Sequence, residues 1–443
     1  MRVLEVCCGA GGLSLGLIRA GFEIGLAIDF WPDALKVYKR NVPQAKSLLR
    51  KRHHARVGDL SDLLGLVPQV LPHRWDMIAG GPPCQDFSSA GLRIEGSRAD
   101  LTLAYAMFIA IIRPRWILME NVPGARKSEA WSRARTILKR AGYGLTEKVV
   151  DASYYGVPQA RRRFIVVGRL DEADGFFESA IDSAKSERPM TVRDLLGDTV
   201  GVQPGGDYPR DMRVFYLRPF KGRSGVRSID APCPTIISKS GEPATKSYKI
   251  KHENDIIPPD QAPPLTTEQM SRIQGFPEGW AWDDVRSEGK RRQMIANAMP
   301  SPLAEAIGRL ILARDTGTSI PEIEPDFVDW LSRDKKLEGQ ELRNRKSQLN
   351  RARRLLKGRM LADVEAETVL LKQTNEFVTL STSVKSDLIK ALRLHSEWRN
   401  HPPIRLPKPE YDPHDDDWGY DDEPRKPPNL LGLAERIALS RTD

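Results

Sequence analysis

The chain has 443 residues, of which 40% are hydrophobic and 29% are charged, with a formal net charge of +9 and a pI near 9.3. This length exceeds the roughly 250 to 300 residues that one hydrophobic core supports, so two or three domains are expected. The sequence excludes a helical membrane span, because its longest uncharged apolar stretch, residues 104–112, is far shorter than the roughly 20 residues that cross a bilayer, and its four cysteines lack the spacing of a disulfide framework or a zinc site.

Up to about residue 170, short apolar runs alternate with amphipathic stretches. We predict strands at residues 2–7, 24–28, 75–79, 116–119 and 164–167, and helices at residues 13–20, 31–40, 101–112 and 131–141. This alternation predicts an α/β fold with a doubly wound, mostly parallel sheet that is covered by helices on both faces. In such folds ligands bind at the carboxyl ends of the strands.

A glycine-rich turn follows the first predicted strand. Gly9, Gly11 and Gly12 precede Leu13 and the first helix. Glycines there let the backbone approach a ligand across a helix N-terminus. The Gly-x-Gly-Gly spacing differs from the Gly-x-Gly-x-x-Gly of dinucleotide sites, and an ordinary tight turn is the alternative.

Two further strand ends carry groups that suit a nucleoside. Asp29 closes the second strand, where a carboxylate can accept hydrogen bonds from two ribose hydroxyls, and Phe30 can stack on a base. Asp59, followed by Leu60, ends a third strand and can accept from an exocyclic amine, although Gly-Asp is also typical of a surface turn. These groups suit a nucleoside without a pyrophosphate, such as S-adenosylmethionine.

Cys84 lies in the stretch Gly81-Pro82-Pro83-Cys84-Gln85, directly after an apolar strand. Reactive thiols lie in partly exposed polar surroundings at the start of loops or helices, whereas structural cysteines are buried in apolar runs and are inert. The prolines and polar neighbours of Cys84 indicate a nucleophile on a stiff turn, with a packing role as the alternative.

The texture of the sequence changes at about residue 171. Residues 171–264 are short segments rich in Gly, Pro, Lys and Arg, typical of a small loop-rich domain, and helices are predicted again at residues 266–273 and 301–312. Beyond residue 314 the chain is highly charged and mostly helical in pattern. Residues 331–360 hold 11 basic and 3 acidic side chains, and residues 410–424 hold eight acidic ones, which predicts a flexible acidic segment after a basic helix.

Six motifs in order make residues 1–314 resemble the DNA (cytosine-5)-methyltransferase family of prokaryotic or phage type. Besides the glycine turn they are Gly81-Pro82-Pro83-Cys84-Gln85-Asp86-Phe87-Ser88, Glu120-Asn121-Val122, Gln159-Ala160-Arg161-Arg162-Arg163-Phe164, Arg272-Ile273-Gln274-Gly275-Phe276-Pro277 and Gln293 to Pro300 with Asn297-Ala298. The resemblance implies a Rossmann-like methyltransferase domain built from residues 1–170 and 265–314, a target-recognition domain at 171–264, and a charged, mainly helical C-terminal extension at 315–443.

The resemblance also implies a chemistry. Carbon 5 of cytosine is too poor a nucleophile to attack a sulfonium methyl, so the Cys84 thiolate first adds to carbon 6. Glu120 contacts ring nitrogen 3 and the exocyclic amine. Arg161 and Arg163 hold the base carbonyl and a nearby phosphate and favour the thiolate, although three adjacent arginines are also typical of a solvated charge run.

The implied ligands are S-adenosylmethionine and a cytosine flipped out of duplex DNA, and no metal is implied. The residues expected to bind the cofactor are Gly9, Gly11, Gly12, Leu13, Asp29, Phe30, Asp59, Leu60, Pro82, Leu101, Asn297 and Ala298. The residues expected to contact DNA are Gln85, Ser88, Arg93, Arg98, Arg223, Arg227 and Thr235, the first four in or next to a loop that closes over the base.

The chain departs from the family pattern at three positions. Cys7 stands where the family usually has a phenylalanine that stacks on adenine, Ala296 replaces a usual glycine, and Glu5 stands where aspartate is commoner. These departures bear on cofactor affinity and not on the type of reaction.

Two alternatives remain open at this level. A transfer RNA cytosine-5 methyltransferase shares the scaffold, but Gln85 and the long basic insert favour DNA. A catalytically silent DNA-binding protein is opposed by the joint presence of Cys84, Glu120 and Arg163.

We further expect a monomer, a prokaryotic or phage-infected host cell and a cognate restriction endonuclease. The chain enters a strand at once without the features of a signal peptide, so we expect it in the cytoplasm. The basic helix beyond residue 314 is compatible with phosphate contacts, recruitment of a partner or self-association, and also with a plain solvated helix.

Overall fold

A computed structural model describes residues 1–42, 55–82, 100–205, 208–219, 224–245, 253–317, 323–361 and 363–400. The strands in these ranges are β1 Arg2–Val6, β2 Glu23–Asp29, β3 Ala55–Val57, β4 Met77–Gly80, β5 Trp116–Asn121, β6 Tyr143–Asp151, β7 Gln159–Ala160, β8 Arg162–Leu170, β9 Val214–Tyr216, β10 Val226–Ser228 and β11 Cys233–Pro234. The helices up to residue 316 are α1 Gly12–Ala20, α2 Pro32–Asn41, α3 Leu63–Val70, α4 Asp100–Ile112, α5 Glu129–Arg140, α6 Glu178–Ser183, α7 Val192–Leu196, α8 Thr267–Ile273, α9 Glu288–Asn297 and α10 Ser301–Thr316.

Seven strands form one sheet in the order β3-β2-β1-β4-β5-β8-β6. The five strands from β3 to β5 are parallel, and β8 is antiparallel to both of its neighbours. The sheet is buried on both faces, as parallel sheets with helical crossovers are. The predicted α/β fold with a doubly wound, mostly parallel sheet is confirmed.

Alternate residues of each strand belong to two separate hydrophobic clusters. In β1, Val3 packs with α1, α2 and α10, whereas Leu4 packs with α3, α4 and α5 on the other face. The helices α1 and α10 approach closely because Gly16 has no side chain: a Cβ there would lie 2.3 Å from the carbonyl oxygen of Ser301. This contact holds α10 against α1, the helix that follows the glycine turn.

Strand β6 was not predicted from the sequence. Its middle residues Glu147 and Lys148 are charged, which obscures the period-two pattern of a strand. β6 lies at the edge of the sheet, where Glu147 accepts hydrogen bonds from Trp131 Nε1 at 2.8 Å and Arg135 Nε at 2.5 Å. Edge strands carry such charges because one side faces solvent.

The region after residue 171 is loop-rich, as predicted, with the antiparallel pair β9 and β10 and a small cluster around Tyr216 and Ile257. The buried Asp255 carboxylate organises it by accepting hydrogen bonds from Ser224 Oγ at 2.5 Å and from the backbone N–H groups of Gly225 and Val226. Phe215 and Ile229 nevertheless belong to the main core of the chain. The domain boundaries given above stay predictions.

The described part of the C-terminal extension is helical, as predicted. Its helices are α11 Pro325–Arg333, α12 Gly339–Leu355, α13 Val364–Lys372, α14 Asn375–Val378 and α15 Thr382–Asn400. They share a core of their own around Phe327, Trp330 and Leu392, and we call this unit the C-terminal module. Among the described helices of the whole chain, none is long and apolar enough to cross a membrane.

Candidate active site

The glycine turn lies at the carboxyl end of β1. Gly9 and Gly11 have left-handed φ angles of 53° and 98°, which glycine adopts without the penalty of a Cβ. A Cβ on Gly12 would lie 2.4 Å from the carbonyl oxygen of Met299, so Gly12 is required for packing inside the protein. A Cβ on Gly9 would meet nothing within 4 Å, so the backbone of Gly9 faces open space where a ligand can approach.

Asp29 ties the glycine turn to the end of β2. Its Oδ2 accepts a hydrogen bond from the backbone N–H of Gly9 at 2.7 Å, and its Oδ1 accepts from the N–H of Trp31 at 2.8 Å. Burial raises the pKa of the Asp29 carboxyl, and the backbone hydrogen bonds oppose that shift. Each carboxylate oxygen has two lone pairs, so both can accept a further hydrogen bond from a ligand.

Phe30 and Asp59 lie at the ends of neighbouring strands. The Phe30 ring is 63% exposed, which is unusual for a large aromatic residue and leaves a face available for stacking. A hydrogen bond from the N–H of Gly58 to the carbonyl oxygen of Asp29 joins the two strand ends. Asp59 is exposed, with Oδ1 accepting from the N–H of Ser61 at 2.9 Å, and Leu60 is buried in the core.

The late motif returns to the same place. Ala298 lies against the glycine turn, since a Cβ on Gly12 would be 3.1 Å from the Cβ of Ala298. Asn297, the last residue of α9, is exposed, and Leu101 at the start of α4 is partly buried. Leu13 is a core residue that is 6% exposed, so its side chain packs inside the protein.

A buried polar cluster beneath the turn was not predicted as part of the site. Ser14 Oγ donates to Glu5 Oε2 and lies 2.6 Å from the hydroxyl oxygen of Tyr38, and all three side chains are buried. Burial raises the pKa of the Glu5 carboxyl to about 8. The available signal was the position of Glu5 on β1, four residues before Gly9. Its partners Ser14 and Tyr38 lie on two different helices, so sequence spacing does not reveal the contacts.

Glu120 and Arg163 meet at the carboxyl end of β5. Arg163 Nε lies 2.6 Å from Glu120 Oε1, and both residues are 8% exposed. The antiparallel pairing of β5 with β8, in which Glu120 is opposite Ile165, brings these side chains together. Arg163 Nη1 also donates to the carbonyl oxygen of Arg162 at 2.7 Å, which fixes the guanidinium.

The segment that leads to Cys84 begins beside this pair. A Cβ on Gly81 would lie 3.2 Å from Glu120 Oε2, and Asn121 Nδ2 donates to the carbonyl oxygen of Pro82 at 3.3 Å. Cys84 itself, like Gln85, Ser88, Arg93, Arg98 and Arg223, lies outside the described residues.

The glycine turn and Glu120 lie on the same edge of the sheet. Val6 pairs with Gly80, and Gly80 pairs with Met119, so Cys7, Gly81 and Glu120 form the next row. Since adjacent strands are about 4.8 Å apart, the turn after β1 and Glu120 are separated by roughly 10 Å. Cys7 has a left-handed φ of 55° and a half-buried side chain.

The Arg161 side chain is buried and contacts the backbone of the late motif. Its side chain is 2% exposed, and Nη2 donates to the carbonyl oxygens of Ala296 and Ala298 at 2.8 and 3.2 Å. These contacts hold the late motif in place. Arg163 is the arginine that contacts Glu120, and the catalytic role expected of Arg161 stays a prediction.

A pair of glutamine amides joins three motifs and was also missed as a functional element. Gln159 Nε2 donates to Gln274 Oε1 at 2.8 Å, and Gln274 Nε2 donates to the carbonyl oxygen of Ala298 at 2.5 Å. Gln159 Oε1 in turn accepts from the N–H of Ile236 at 3.0 Å. Both glutamines are fully buried. The available signal was that Gln159 and Gln274 each belong to one of the six sequence motifs.

The described DNA-contact candidates are occupied by contacts within the protein. Thr235 Oγ1 donates to the carbonyl oxygen of Ala160 at 3.0 Å, beside the pairing of β11 with β7. Arg227 Nη2 donates to the carbonyl oxygen of Ser224 at 2.7 Å, and its side chain is half-buried.

Comparison with known proteins places this geometry in context. A model of the C-5 cytosine-specific DNA methylase family matches residues 1–313. The Type II methyltransferase M.HindV of Haemophilus influenzae is 37% identical over 314 residues, which cover 70% of this chain and 96% of the relative. The Type II methyltransferase M.HgiDI of Herpetosiphon aurantiacus is 36% identical over 305 residues, which cover 69% of this chain and 92% of the relative.

Solved structures show the same fold at lower identity. The crystal structure of the S. pombe Dnmt2 methyltransferase has a TM-score of 0.50 and 19% identity, covering 71% of this chain and 99% of that one. The Entamoeba histolytica methyltransferase EhMeth has a TM-score of 0.50 and 16% identity, covering 71% and 98%. The family match ends before the C-terminal module begins.

Proposed function

The chain belongs to the C-5 cytosine-specific DNA methylase family, and from that membership we propose that it methylates carbon 5 of a flipped-out cytosine in a specific sequence of duplex DNA through a covalent bond from Cys84 to carbon 6. Methyl transfer to cytosine in DNA is the activity of the family. The covalent step, the roles of single residues and the sequence specificity are our proposal.

The observation that carries the proposal is the ion pair between Glu120 and Arg163 beside Gly81 and Pro82. Cys84 follows Pro82 by two residues in the sequence. A buried carboxylate held by a guanidinium is thus placed next to the segment that carries the thiol. This is the combination that addition to a pyrimidine ring requires.

In the proposed reaction the Cys84 sulfur forms a bond to carbon 6, and the electron pair of the carbon 5–carbon 6 double bond moves into the ring. Glu120 stabilises the resulting charge by a hydrogen bond, and proton sharing, at nitrogen 3 and the exocyclic amine. Arg163 orients Glu120 and stabilises charge on the base carbonyl. Carbon 5 then forms a bond to the methyl carbon as the bond from that carbon to the donor sulfur breaks. Carbon 5 gives its proton to a base, proposed to be a water, its C–H electron pair forms the double bond again, and the Cys84 sulfur leaves carbon 6 as a thiolate.

S-adenosylmethionine supplies an electrophilic methyl carbon when it is bound. The residues at the carboxyl ends of β1, β2 and β3 fit this molecule: the open face of Gly9 accommodates a ligand backbone, the exposed ring of Phe30 offers a stacking surface, and Asp29 and Asp59 offer acceptors. The roughly 10 Å between this row and Glu120 leaves room for the methyl donor beside the target base.

The target carbon cannot be reached inside a duplex, so the cytosine leaves the stack at a cost of a few kcal/mol. The recognition region at 171–264 is proposed to read the flanking sequence, with contributions from Arg227 and Thr235 and from Arg223, and residues 85–96 are proposed to close over the base. The relatives are Type II methyltransferases, and a companion restriction endonuclease for this chain stays a prediction. A monomeric, cytoplasmic enzyme stays a prediction.

Methyl transfer from labelled S-adenosylmethionine tests the function. We expect label in duplex DNA and none in transfer RNA, and none in DNA with the Cys84→Ala variant. Equal labelling by Cys84→Ala would overturn the covalent mechanism, and preferential labelling of transfer RNA would overturn the DNA substrate. Mapping of 5-methylcytosine in DNA from cells that express the protein would then identify the recognition sequence.

A further inference from the structure

The C-terminal module presents one helix face on which positive charges are concentrated. Helix α12 carries Arg343, Lys346, Arg351 and Arg354, and all four side chains are exposed. Their spacings of three, five and three residues place them within an arc of about 140° on one side of the helix, since each residue turns by about 100°. From Arg343 to Arg354 is three helical turns, or about 16 Å. We call this surface the α12 basic face.

The cations of the α12 basic face are not neutralised by neighbouring acids. Within the described part of the chain, none of the four forms an ion pair with a carboxylate. Other cations of the same module do, since the half-buried Lys335 pairs with Glu397 at 2.5 Å and the exposed Arg393 pairs with Glu365 at 3.1 Å. The polar side chains between the four cations are the uncharged Asn344, Ser347 and Asn350 and the half-buried Gln348, all able to hydrogen-bond.

The opposite side of α12 is fixed in the core of the module. Leu349 and Ala352 are buried there, and Arg353 is held by Glu367 at 2.8 Å and by His395 Nδ1 at 2.9 Å. An arginine on the inner face is therefore used for an internal ion pair. With the described residues, the four on the outer face make no such ion pair, and Arg343 only donates to Gln340 Oε1 on the same helix, so their charges are available to an anionic ligand.

The module is joined firmly to the catalytic part. The backbone N–H of Met360, five residues after α12, donates to Glu172 Oε2 at 2.6 Å, and the N–H of Ala173 donates to the carbonyl oxygen of Met360 at 2.7 Å. Glu172 is fully buried and also pairs with Arg169 and Arg314. A ligand that binds the α12 basic face is therefore connected to the catalytic part through the module.

This junction lies away from Glu120. Trp116 at the start of β5 pairs with Arg169, whereas Asn121 at its end pairs with Phe164, so Glu172 belongs to the edge of the sheet opposite the active site. The two ends of β5, Trp116 and Asn121, are roughly 16 Å apart. A contact made through the module adds affinity without taking part in the choice of the base.

We propose that the α12 basic face is a second, sequence-independent binding surface for the phosphate backbone of duplex DNA. About 16 Å of duplex carries roughly ten phosphates, so four cations over that length can each neutralise one. The enzyme already acts on DNA, and the chain has a net charge of +9. The surface would keep the enzyme on DNA while the active site is not engaged.

The binding of a long duplex made only of A·T pairs tests this proposal. It contains no cytosine, so the result does not depend on Cys84 or on the proposed reaction. The test variant replaces Arg343, Lys346, Arg351 and Arg354 by glutamine. The matched control replaces Arg309, Lys372, Lys390 and Arg393 by glutamine. These four side chains are also exposed, and their replacement removes the same charge.

Fluorescence anisotropy is measured over a range of salt concentrations. We expect the test variant to bind at least about tenfold more weakly, with a plot of log affinity against log salt that is shallower by about 3 to 4, since each phosphate contact contributes about 0.9. The control should bind like the wild type. Both variants should keep the wild-type thermal unfolding temperature.

Two results would overturn the proposal. One is equal affinity and equal salt dependence for the test and control variants. The other is a test variant that binds like the wild type at every salt concentration.

Discussion

Arg163 Nε lies 2.6 Å from Glu120 Oε1, although 43 positions separate the two residues in the sequence. Each of the two side chains is largely removed from solvent. A buried carboxylate without a partner would be costly, and the contact with the guanidinium orients the Glu120 side chain. The pair defines where the ring of the target base must lie.

Replacing Glu120 by glutamine should lower kcat for methyl transfer by about 100-fold or more, the usual range for loss of a proton-transfer group. The matched control is Glu147→Gln, which also removes a carboxylate paired with an arginine, Arg135, but at the edge of the sheet. We expect the control to keep its activity. Comparable losses in both variants would show that the effect is structural.

Replacing Gly9 by alanine should raise the KM for S-adenosylmethionine roughly tenfold, because a methyl group would enter the open space at the glycine turn. The control is Gly175→Ala: Gly175 also has a left-handed φ, 75°, and no atom within 4 Å of a built Cβ. Both changes should cost about 1 to 2 kcal/mol of stability through the left-handed backbone.

Denaturant unfolding and KM measured on the same two proteins separate these effects. If Gly9→Ala and Gly175→Ala raise the KM equally, the glycine turn does not contact the cofactor.

The buried Glu5 should make stability depend on pH. Its folded-state pKa of about 8 lies above the ordinary value of 4.5, so the folded protein binds the proton more tightly than the unfolded chain. The stabilisation is complete below about pH 4.5 and is lost as the pH rises through about 8. Glu5→Gln should therefore lose less stability than the wild type between pH 5 and pH 8, with a difference on the order of a few kcal/mol at most.

Unfolding by urea at several pH values measures this difference. Identical pH profiles for Glu5→Gln and the wild type would show that Glu5 is not the group responsible.

The sequence predicted the central sheet, because apolar periodicity marks the strands, whereas the roles of the site residues stay predictions. It did not predict which side chains meet. Glu120 and Arg163 depend on the antiparallel register of β5 and β8, which strand patterns do not specify. Arg161 shows the same limit: its residue type indicates a cation, while its direction toward the carbonyl oxygens of Ala296 and Ala298 depends on the fold.

The attachment of the C-terminal module was equally hidden. Charge patterning predicts helices beyond residue 314, and α11 to α15 confirm them. The junction, however, depends on one buried carboxylate, Glu172, which accepts from the backbone of Met360, 188 positions away. A backbone donor leaves no trace in residue type, so no sequence pattern could have indicated this contact.

The most direct test of the covalent mechanism uses duplex DNA of mixed sequence in which every cytosine carries fluorine at carbon 5. Carbon 5 then has no proton to lose after methyl transfer, so the bond between the sulfur and carbon 6 cannot break. With S-adenosylmethionine present, we predict a protein–DNA complex that survives denaturation, with the DNA attached to the peptide that contains Cys84, and no such complex for Cys84→Ala. A resistant complex with Cys84→Ala, or attachment at another residue, would contradict the account.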